Sequence, residues 1–103
     1  MVADDYNELR TLAMNTAKKV ALSFLEEYRK GPYGNELSPD RINFFYYNTD
    51  FEAGLNYALF TEFKRLDLWR NIEDDDWDNA VKLAMETAYN EFVCSQNKDS
   101  SNA

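Results

Sequence analysis

The sequence contains no histidine, one cysteine, three glycines and two prolines among its 103 residues. Without histidine, the usual catalytic triads lack their base and the commonest metal ligand is missing. One cysteine rules out an internal disulfide and a cysteine-based zinc site. No apolar run approaches the roughly 18 residues that span a bilayer, and the first residues do not resemble a secretion signal. These absences predict a cytoplasmic protein with no membrane association, no metal and no cofactor.

Acidic residues are the main excess in the composition. Asp and Glu number 19 against 11 Lys and Arg, which gives a formal charge of −8. Because nucleic acids and anionic lipids are bound through Lys and Arg, this balance predicts no direct binding to either. A hydrophobic fraction of 45% still supplies enough apolar side chains for one core. The partner that fits this charge is a basic protein.

The first segment is predicted to be a helix from about Asp5, which resembles a cap, to Lys30. Gly31 is expected to end the helix, and Pro32 prevents its continuation. Apolar residues within it recur at steps of three or four, which is typical of one helical face. The residues of this stripe are Tyr6, Leu9, Ala13, Ala17, Val20, Phe24 and Tyr28.

The stretch Ile42–Tyr47 allows two interpretations. Its aromatic and β-branched residues favour a strand, whereas the preceding Ser38-Pro39 is a typical helix start. We favour a short helix, because no other segment of the sequence is a candidate strand to pair with it.

Two further helices are predicted in the second half. The capping box of Thr49 and Glu52 opens a helix over about Asp50–Leu68. Gly54 in its interior costs about 1 kcal/mol relative to Ala, which indicates either close approach by another backbone or simple tolerance. The last helix is predicted over about Trp77–Cys94.

The predicted fold class is therefore all-α: a small helical bundle of three long helices and one short helix. A stripe of small residues in the last helix predicts the close approach of a neighbouring helix. We expect one helical domain over residues 1–96 and a disordered polar tail over 97–103. The small residues of the stripe are Ala80, Ala84 and Ala88.

The negative charge is concentrated in one short run of the second half. Residues 1–48 carry a formal charge of −1 and residues 49–103 carry −7. Acids at a helix N-terminus are stabilising by roughly 0.3–1 kcal/mol each, so a cap at Asp76 with the other acids solvated is one interpretation. Five acids within six positions also repel one another, which favours a binding role. The candidate partner-binding acids are Glu73, Asp74, Asp75, Asp76 and Asp78.

Aromatic residues are clustered as well, and nine of the sixteen lie between positions 44 and 69. Phe44, Phe45, Tyr46 and Tyr47 are consecutive, so a helix points them around its whole circumference. Either a core covers them from both sides, or some of them are exposed as anchors for a partner. The candidate anchors are Tyr46, Tyr47 and Trp69.

An enzymatic function is not predicted. Glu26-Glu27 is the nearest approach to the Glu-Glu-x-x-Glu motif of all-α pyrophosphohydrolases, but Lys30 stands at the third ligand position. The three glycines match no phosphate-binding loop. We therefore expect neither catalysis nor a bound cofactor.

Two short stretches resemble known inhibitor families. Asp67-Leu68-Trp69 followed by the acidic run Glu73–Asp78 resembles helical anti-restriction proteins of phages, which are small and acidic. The pair Tyr46-Tyr47 followed by Asp50 is similar to the tyrosine pair of colicin-type DNase immunity proteins, without the proline that follows the pair there. These resemblances imply an acidic all-α inhibitor of a nucleic-acid enzyme. They assign no role to any individual residue of this chain.

The leading hypothesis is a small acidic inhibitor that occupies the basic groove of a nucleic-acid-binding protein or nuclease, as a DNA mimic does. An anti-defence protein of a phage or mobile element, of anti-restriction or anti-CRISPR type, has this design. Two alternatives stay open. One is a non-catalytic structural or regulatory subunit, including a homodimer, and the other is a nuclease inhibitor of the bacteriocin-immunity type.

Overall fold

Three long helices and two short helical turns form the fold in the computed structural model. The structure describes the backbone of residues 2–32, 34–47 and 49–102, and the side chains of 6–32, 34, 36–47 and 50–95. No strand occurs in these ranges, so the predicted small all-α bundle is confirmed. The elements are α1 (Val2–Lys30), a 3-10 turn (Gly34–Glu36), a π-helical turn (Asn43–Tyr47), α2 (Thr49–Arg65) and α3 (Asp74–Asn102).

Helix α1 starts earlier than predicted and ends where predicted. It begins at Val2, and the predicted cap at Asp5 lies outside the described side chains. Its last turn carries basic residues and ends at Lys30, where positive charge suits the carbonyl end of a helix. The N–H of Gly31 donates to the carbonyl of Tyr28 at 3.1 Å, and this bond closes the helix.

The predicted helix over Ile42–Tyr47 is present, but it takes the form of a π-helical turn. Two side chains accept N–H groups at its start, of which the sequence predicted only that of Ser38. The N–H of Asp40 donates to the hydroxyl oxygen of Ser38 at 3.1 Å, and the carboxylate of Asp40 accepts the N–H of Asn43 at 3.1 Å. We call Asn43–Tyr47 the aromatic turn.

Helix α2 ends three residues before the predicted end at Leu68. Asp67 has a left-handed backbone with a φ of 57°. The N–H of Leu68 donates to the carbonyl of Phe63 at 2.8 Å, and that of Asp67 donates to Lys64 at 3.1 Å. These two bonds form a Schellman motif, in which a left-handed residue terminates the helix. Phe63 and Leu68 are both buried there, as the hydrophobic contact of this motif requires.

Gly54 leaves space for a neighbouring side chain, not for another backbone. A Cβ atom at this position of α2 would lie 2.6 Å from Cζ of Phe24 on α1. The ring of Phe24 is itself held by Phe51 and Tyr28, with ring centroids 5.3 and 5.9 Å away. The glycine therefore makes room for an aromatic ring, which neither interpretation from the sequence described.

Helix α3 begins at Asp74, one turn before the predicted start at Trp77. The carbonyl of Glu73 accepts the N–H of Trp77 at 3.1 Å. Glu73 is therefore the N-cap residue, and the acids belong to the first helical turn instead of to a loop. The backbone is helical to Asn102. Side chains from 96 onward lie outside the described residues, so the predicted domain limit at 96 and the polar tail at 97–103 stay predictions.

The helices pack side by side, with α1 and α3 parallel and α2 antiparallel to both. Arg10 pairs with Asp76 near the beginnings of α1 and α3. Toward their far ends, the guanidinium of Arg29 lies 5.6 Å from the ring centre of Phe92. The end of α2 lies beside the beginning of α3, where two aromatic rings are 5.4 Å apart. This order places the acidic first turn of α3 against the first turns of α1.

Small side chains bring α1 and α3 together. Each of the two helices carries three alanines at four-residue intervals, and all six are fully buried in one apolar cluster. Alanine permits an interaxial distance at the short end of the usual range of about 8–10 Å. The stripe predicted in α3 is therefore buried, as expected. The six residues are Ala13, Ala17, Ala21, Ala80, Ala84 and Ala88.

Candidate interaction surface

Four exposed carboxylates surround the beginning of α3: those of Glu73, Asp74, Asp75 and Asp78. We call these four residues the acidic end. Five ion pairs form among the described side chains, and none of them uses a residue of the acidic end. Within the described part of the chain, no Lys or Arg therefore neutralises this charge.

The acidic end carries closely spaced charges, as duplex DNA does. From Glu73 to Asp78 the helix axis rises roughly 7.5 Å, at about 1.5 Å per residue. Four carboxylates over this length have a mean axial spacing of about 2.5 Å, compared with about one phosphate per 1.7 Å of duplex axis. The density of charge on this surface therefore suits a site that ordinarily binds phosphates.

Asp76 does not belong to this exposed surface, although the sequence analysis placed it there. It is only 5% exposed. The Nε atom of Arg10 lies 3.1 Å from one of its carboxylate oxygens, and the hydroxyl of Tyr6 donates to the other. Its spacing to Ala80 and Ala84, four and eight residues later, puts it on the inner face of the helix. Asp76 therefore fastens α3 to α1, and we remove it from the set that contacts a partner.

Tyr6 completes the N-terminal cap of α3. Its hydroxyl donates to Asp76 and accepts the N–H of Glu73 at 3.3 Å. In a capping box the third helical residue reaches the N-cap N–H directly, whereas here a tyrosine hydroxyl lies between the two. Asp76 thus acts from the third helical position, and the prediction that it is the N-cap residue is wrong. The hydrogen bond to Asp76 and, second, burial raise the pKa of Tyr6 above its ordinary value of 10.0.

Trp69 lies beside the acidic end. Its ring makes edge contacts with Phe60 on α2, with centroids 4.5 Å apart, and with Trp77 on α3, at 4.9 Å. Trp69 remains exposed despite these contacts. The structure therefore brings one predicted anchor next to the predicted acids.

Contacts with α3 hold the aromatic turn in place. The guanidinium of Arg41 pairs with both carboxylate oxygens of Glu86 and lies 4.5 Å from the ring centre of Phe45. The hydrogen bond to Glu86 raises the pKa of Arg41 above its ordinary value. The hydroxyl of Tyr89 donates to the carbonyl of Pro39 at 2.7 Å. These bonds fix the turn while leaving part of it exposed.

A groove of about 410 Å³ lies between the aromatic turn and α3. Tyr46 forms part of its wall and is 74% exposed, and Tyr47 is exposed outside the groove. Both tyrosines are therefore accessible, as the sequence predicted. We call this feature the α3 groove. Its apolar lining consists of Ile42, Phe45, Tyr46, Val81 and Met85.

The α3 groove and the acidic end lie on neighbouring stripes of α3. Residues four apart share one face of a helix, and two such stripes run along this side. Val81 and Met85 of the inner stripe form the floor of the groove, and the outer stripe begins in the acidic end. The inner stripe extends over roughly 12 Å and the outer stripe over roughly 18 Å. The inner stripe is Trp77, Val81 and Met85, and the outer stripe is Asp74, Asp78, Lys82 and Glu86.

Several residues of this surface were not candidates from the sequence: Ile42, Trp77, Val81 and Met85. The four-residue spacing from Trp77 to Met85 was a usable signal, because it continues the face that carries the first turn of α3. Ile42 gave no comparable signal. Its exposure depends on how the aromatic turn docks on α3, which sequence periodicity does not determine.

The glutamate pair at Glu26-Glu27 is the remaining candidate site from the sequence. Lys30 pairs with Glu26 at 3.3 Å, so the glutamate pair of the pyrophosphohydrolase-like motif has a partner on its own helix. In the described side chains, no three His, Cys, Asp or Glu residues are grouped as a metal site. The described helices include none of the length and apolarity needed to cross a membrane.

Comparison of the chain with protein-family models, curated proteins and solved structures found no match in any of the three. The functional argument therefore rests on the acidic end, the α3 groove and the exposed aromatic residues.

Proposed function

We propose that the protein is a small acidic inhibitor of a nucleic-acid-binding protein or nuclease. It acts in the cytoplasm as a DNA mimic, in the manner of an anti-restriction or anti-CRISPR protein of a phage or mobile element. The supporting observation is the acidic end, where four exposed carboxylates lie within six positions and form no ion pair among the described residues. A basic groove that binds phosphates attracts such carboxylates by the same electrostatic forces.

The way in which the acidic end is held also supports this proposal. Like charges within one turn repel each other, and the N-terminal dipole of α3 offsets only roughly 0.3–1 kcal/mol for each acid. Tyr6, Asp76 and Arg10 lock this turn onto α1 through buried or half-buried bonds. The inhibitor therefore presents its charges on a fixed scaffold, which lowers the entropy lost when a partner binds.

Exposed aromatic residues supply the second part of the contact. Trp69 lies beside the acidic end, and Tyr46 lies further along α3. Tyr and Trp are frequent hot-spot residues, since each buries an apolar ring and offers a polar atom. In this proposal the acids set the rate of encounter and the aromatic residues, including Tyr47, set the lifetime of the complex.

A second function, a non-catalytic structural or regulatory subunit, is favoured by apolar side chains that are exposed away from the acidic end. The side chains of Leu12 and Leu22 on α1 are 44% and 43% exposed. In this alternative the negative charge serves only solubility, and removal of the acidic end leaves partner binding intact. The other alternative is a nuclease inhibitor of the bacteriocin-immunity type, with a toxin nuclease as partner.

The experiment measures inhibition of DNA-cleaving enzymes of the native host, namely restriction endonucleases and CRISPR effector complexes. The variant Asp74→Asn/Asp75→Asn/Asp78→Asn neutralises three carboxylates of the acidic end. We expect its inhibition constant to rise by about tenfold or more, since each exposed interfacial charge contributes mainly to association.

A matched control removes three charges at the opposite end of the bundle. The variant Glu27→Gln/Glu36→Gln/Glu91→Gln changes three exposed acids that form no ion pair within the described residues. This control should inhibit as the parent protein does. If both variants lose inhibition to the same extent, inhibition depends on net charge alone and not on the position of the acids. If no enzyme is inhibited at low salt, or if the acidic-end variant inhibits normally, the proposal is wrong.

A further inference from the structure

We propose that the α3 groove binds a basic amphipathic segment of the partner protein. An apolar side chain of this segment enters the groove between Tyr46 and Met85, and its Lys or Arg residues face Asp74 and Asp78. This inference rests on the proposed function in one respect, because both take the partner to be basic. It goes further by stating the chemistry of the partner segment that the α3 groove binds.

The apolar half of the ligand follows from the lining of the groove. Ile42 is 61% exposed and Tyr46 is 74% exposed, although both belong to a segment that is anchored in the core. Phe44 between them is fully buried and stacks on Phe92, with centroids 5.9 Å apart. Exposed apolar side chains on a fixed backbone mark a binding surface, since they gain from burial and lose little entropy.

The groove also has a fixed shape. Arg41 and Glu86 both line the groove and form a bidentate pair with each other, so each of these charges already has a partner. Val81 and Met85 form the floor and are half-buried and buried, respectively. Methionine adapts its shape to different apolar partners. The groove therefore accepts a side chain such as Leu, Ile, Met or Phe without strict selection among them.

The basic half of the ligand follows from the two aspartates beside the groove. The charges that line the groove itself balance, with Arg41 and Lys82 against Glu52 and Glu86. Asp74 and Asp78 precede Lys82 on the same stripe, and neither forms an ion pair within the described residues. Asp78 precedes the first floor residue, Val81, by one helical turn, roughly 5 Å along the axis. A bound segment with an apolar residue in the groove therefore brings a Lys or Arg one turn away next to Asp78.

A second copy of the chain is disfavoured as the occupant. Each copy carries a formal charge of −8, and association of two copies brings these like charges together. A partner segment with positive charge removes this repulsion. Self-association remains an outcome that the experiment distinguishes.

The experiment uses peptides without tryptophan and reads the fluorescence of the protein. The chain contains two tryptophans, Trp69 and Trp77, and Trp77 lies on the stripe that forms the groove floor. The probe is a helical peptide of about twelve residues with Leu on one face and Lys on the other. Two matched peptides replace either all Leu by Gln or all Lys by Glu. We expect the Leu–Lys peptide to bind at least about tenfold more tightly than each of the other two.

Two variants locate the binding site of the Leu–Lys peptide. Ile42→Ser/Tyr46→Ser removes the exposed wall of the groove, and we expect its dissociation constant to rise by about tenfold or more. Tyr57→Ser is the control, because Tyr57 is 72% exposed on α2 and does not line the groove. This control should bind as the parent protein does. Thermal unfolding checks that all three proteins are folded.

The outcomes separate this inference from the proposed function. The inference is wrong if Ile42→Ser/Tyr46→Ser and Tyr57→Ser bind the peptide equally, or if the Lys–Gln peptide binds as tightly as the Leu–Lys peptide. It is also wrong if sedimentation shows a dimer that Ile42→Ser/Tyr46→Ser dissociates. Failure of the proposed function appears elsewhere, as unchanged enzyme inhibition by the acidic-end variant, whatever the peptides do.

Discussion

The hydroxyl of Tyr6 on α1 donates a hydrogen bond to the buried carboxylate of Asp76 on α3, 70 positions later in the chain. The same hydroxyl accepts the N–H of Glu73. One side chain of α1 therefore fixes both the cap and the third residue of α3. The direction in which the acidic end points depends on this contact, although Tyr6 itself is not part of the surface offered to a partner.

The raised pKa of Tyr6 predicts a loss of stability at alkaline pH. The folded protein holds the phenolic proton more tightly than the unfolded chain, in which the pKa is close to 10.0. The contribution of Tyr6 is fully present below that value and is lost as the pH rises through the higher folded pKa. The melting temperatures of the parent protein and Tyr6→Phe should therefore differ near pH 8, and the difference should shrink as the pH rises above 10.0. A difference that stays constant over this range would contradict the assignment.

Asp76 and Asp78 are predicted to differ in their effect on stability, although they are two positions apart. Asp76→Asn removes the ion pair with Arg10 and weakens the bond to Tyr6, and it should destabilise the fold by about 1–2 kcal/mol. Arg10 is half exposed and regains water, which keeps the loss moderate. Asp78→Asn changes an exposed carboxylate and should stay within about 0.5 kcal/mol. Urea unfolding of both variants measures this contrast, and equal effects would contradict the buried position of Asp76.

Gly54→Ala is predicted to destabilise the protein, although alanine is the better helix former. The helix propensity favours Ala by about 1 kcal/mol, but the new Cβ overlaps the ring of Phe24, and overpacking costs about 1–3 kcal/mol. Combining Gly54→Ala with Phe24→Leu should recover part of the loss, because the ring is then absent. Thermal unfolding checks both variants. A gain of the full helix propensity in Gly54→Ala alone would show that the ring moves aside freely.

The left-handed backbone of Asp67 predicts a preference for glycine at this position. Asp67→Gly should be about 1 kcal/mol more stable than Asp67→Ala, because only glycine adopts this conformation without strain. The ion pair of Asp67 with Arg70 is exposed and 3.8 Å long, so Arg70→Ala serves as a control with an effect of about 0.5 kcal/mol or less. Equal stability of Asp67→Gly and Asp67→Ala would contradict the Schellman end of α2.

The helices were predictable because their signals are local. The stripe from Tyr6 to Tyr28, the stop at Gly31 and the alanines of α3 depend only on spacing and on the residue that ends a helix. The end of α2 was misplaced because an aspartate at a left-handed position looks like any exposed acid in the sequence. The start of α3 was predicted three residues too late, because acidic residues look the same in the sequence whether they lie in a first helical turn or in a loop.

The candidate surface was predictable only in part. The exposure of Tyr46 and Tyr47 was one of two interpretations of four consecutive aromatic residues, the other being a core that covers them from both sides. Burial of Asp76 was not predictable, since its partners Tyr6 and Arg10 are distant in sequence and meet it only when α1 and α3 pack in parallel. The α3 groove likewise depends on the docking of the aromatic turn, which is a tertiary contact.

The most direct measurement is the association rate with an inhibited host enzyme as a function of salt. Exposed charges are screened over about 8–10 Å at physiological ionic strength. The rate for the parent protein should therefore fall by about tenfold or more between low and moderately high salt, while the dissociation rate changes little. The variant Asp74→Asn/Asp75→Asn/Asp78→Asn should associate more slowly at low salt and respond less to added salt. A salt dependence that is the same for both proteins would contradict the claim that the acidic end makes the contact.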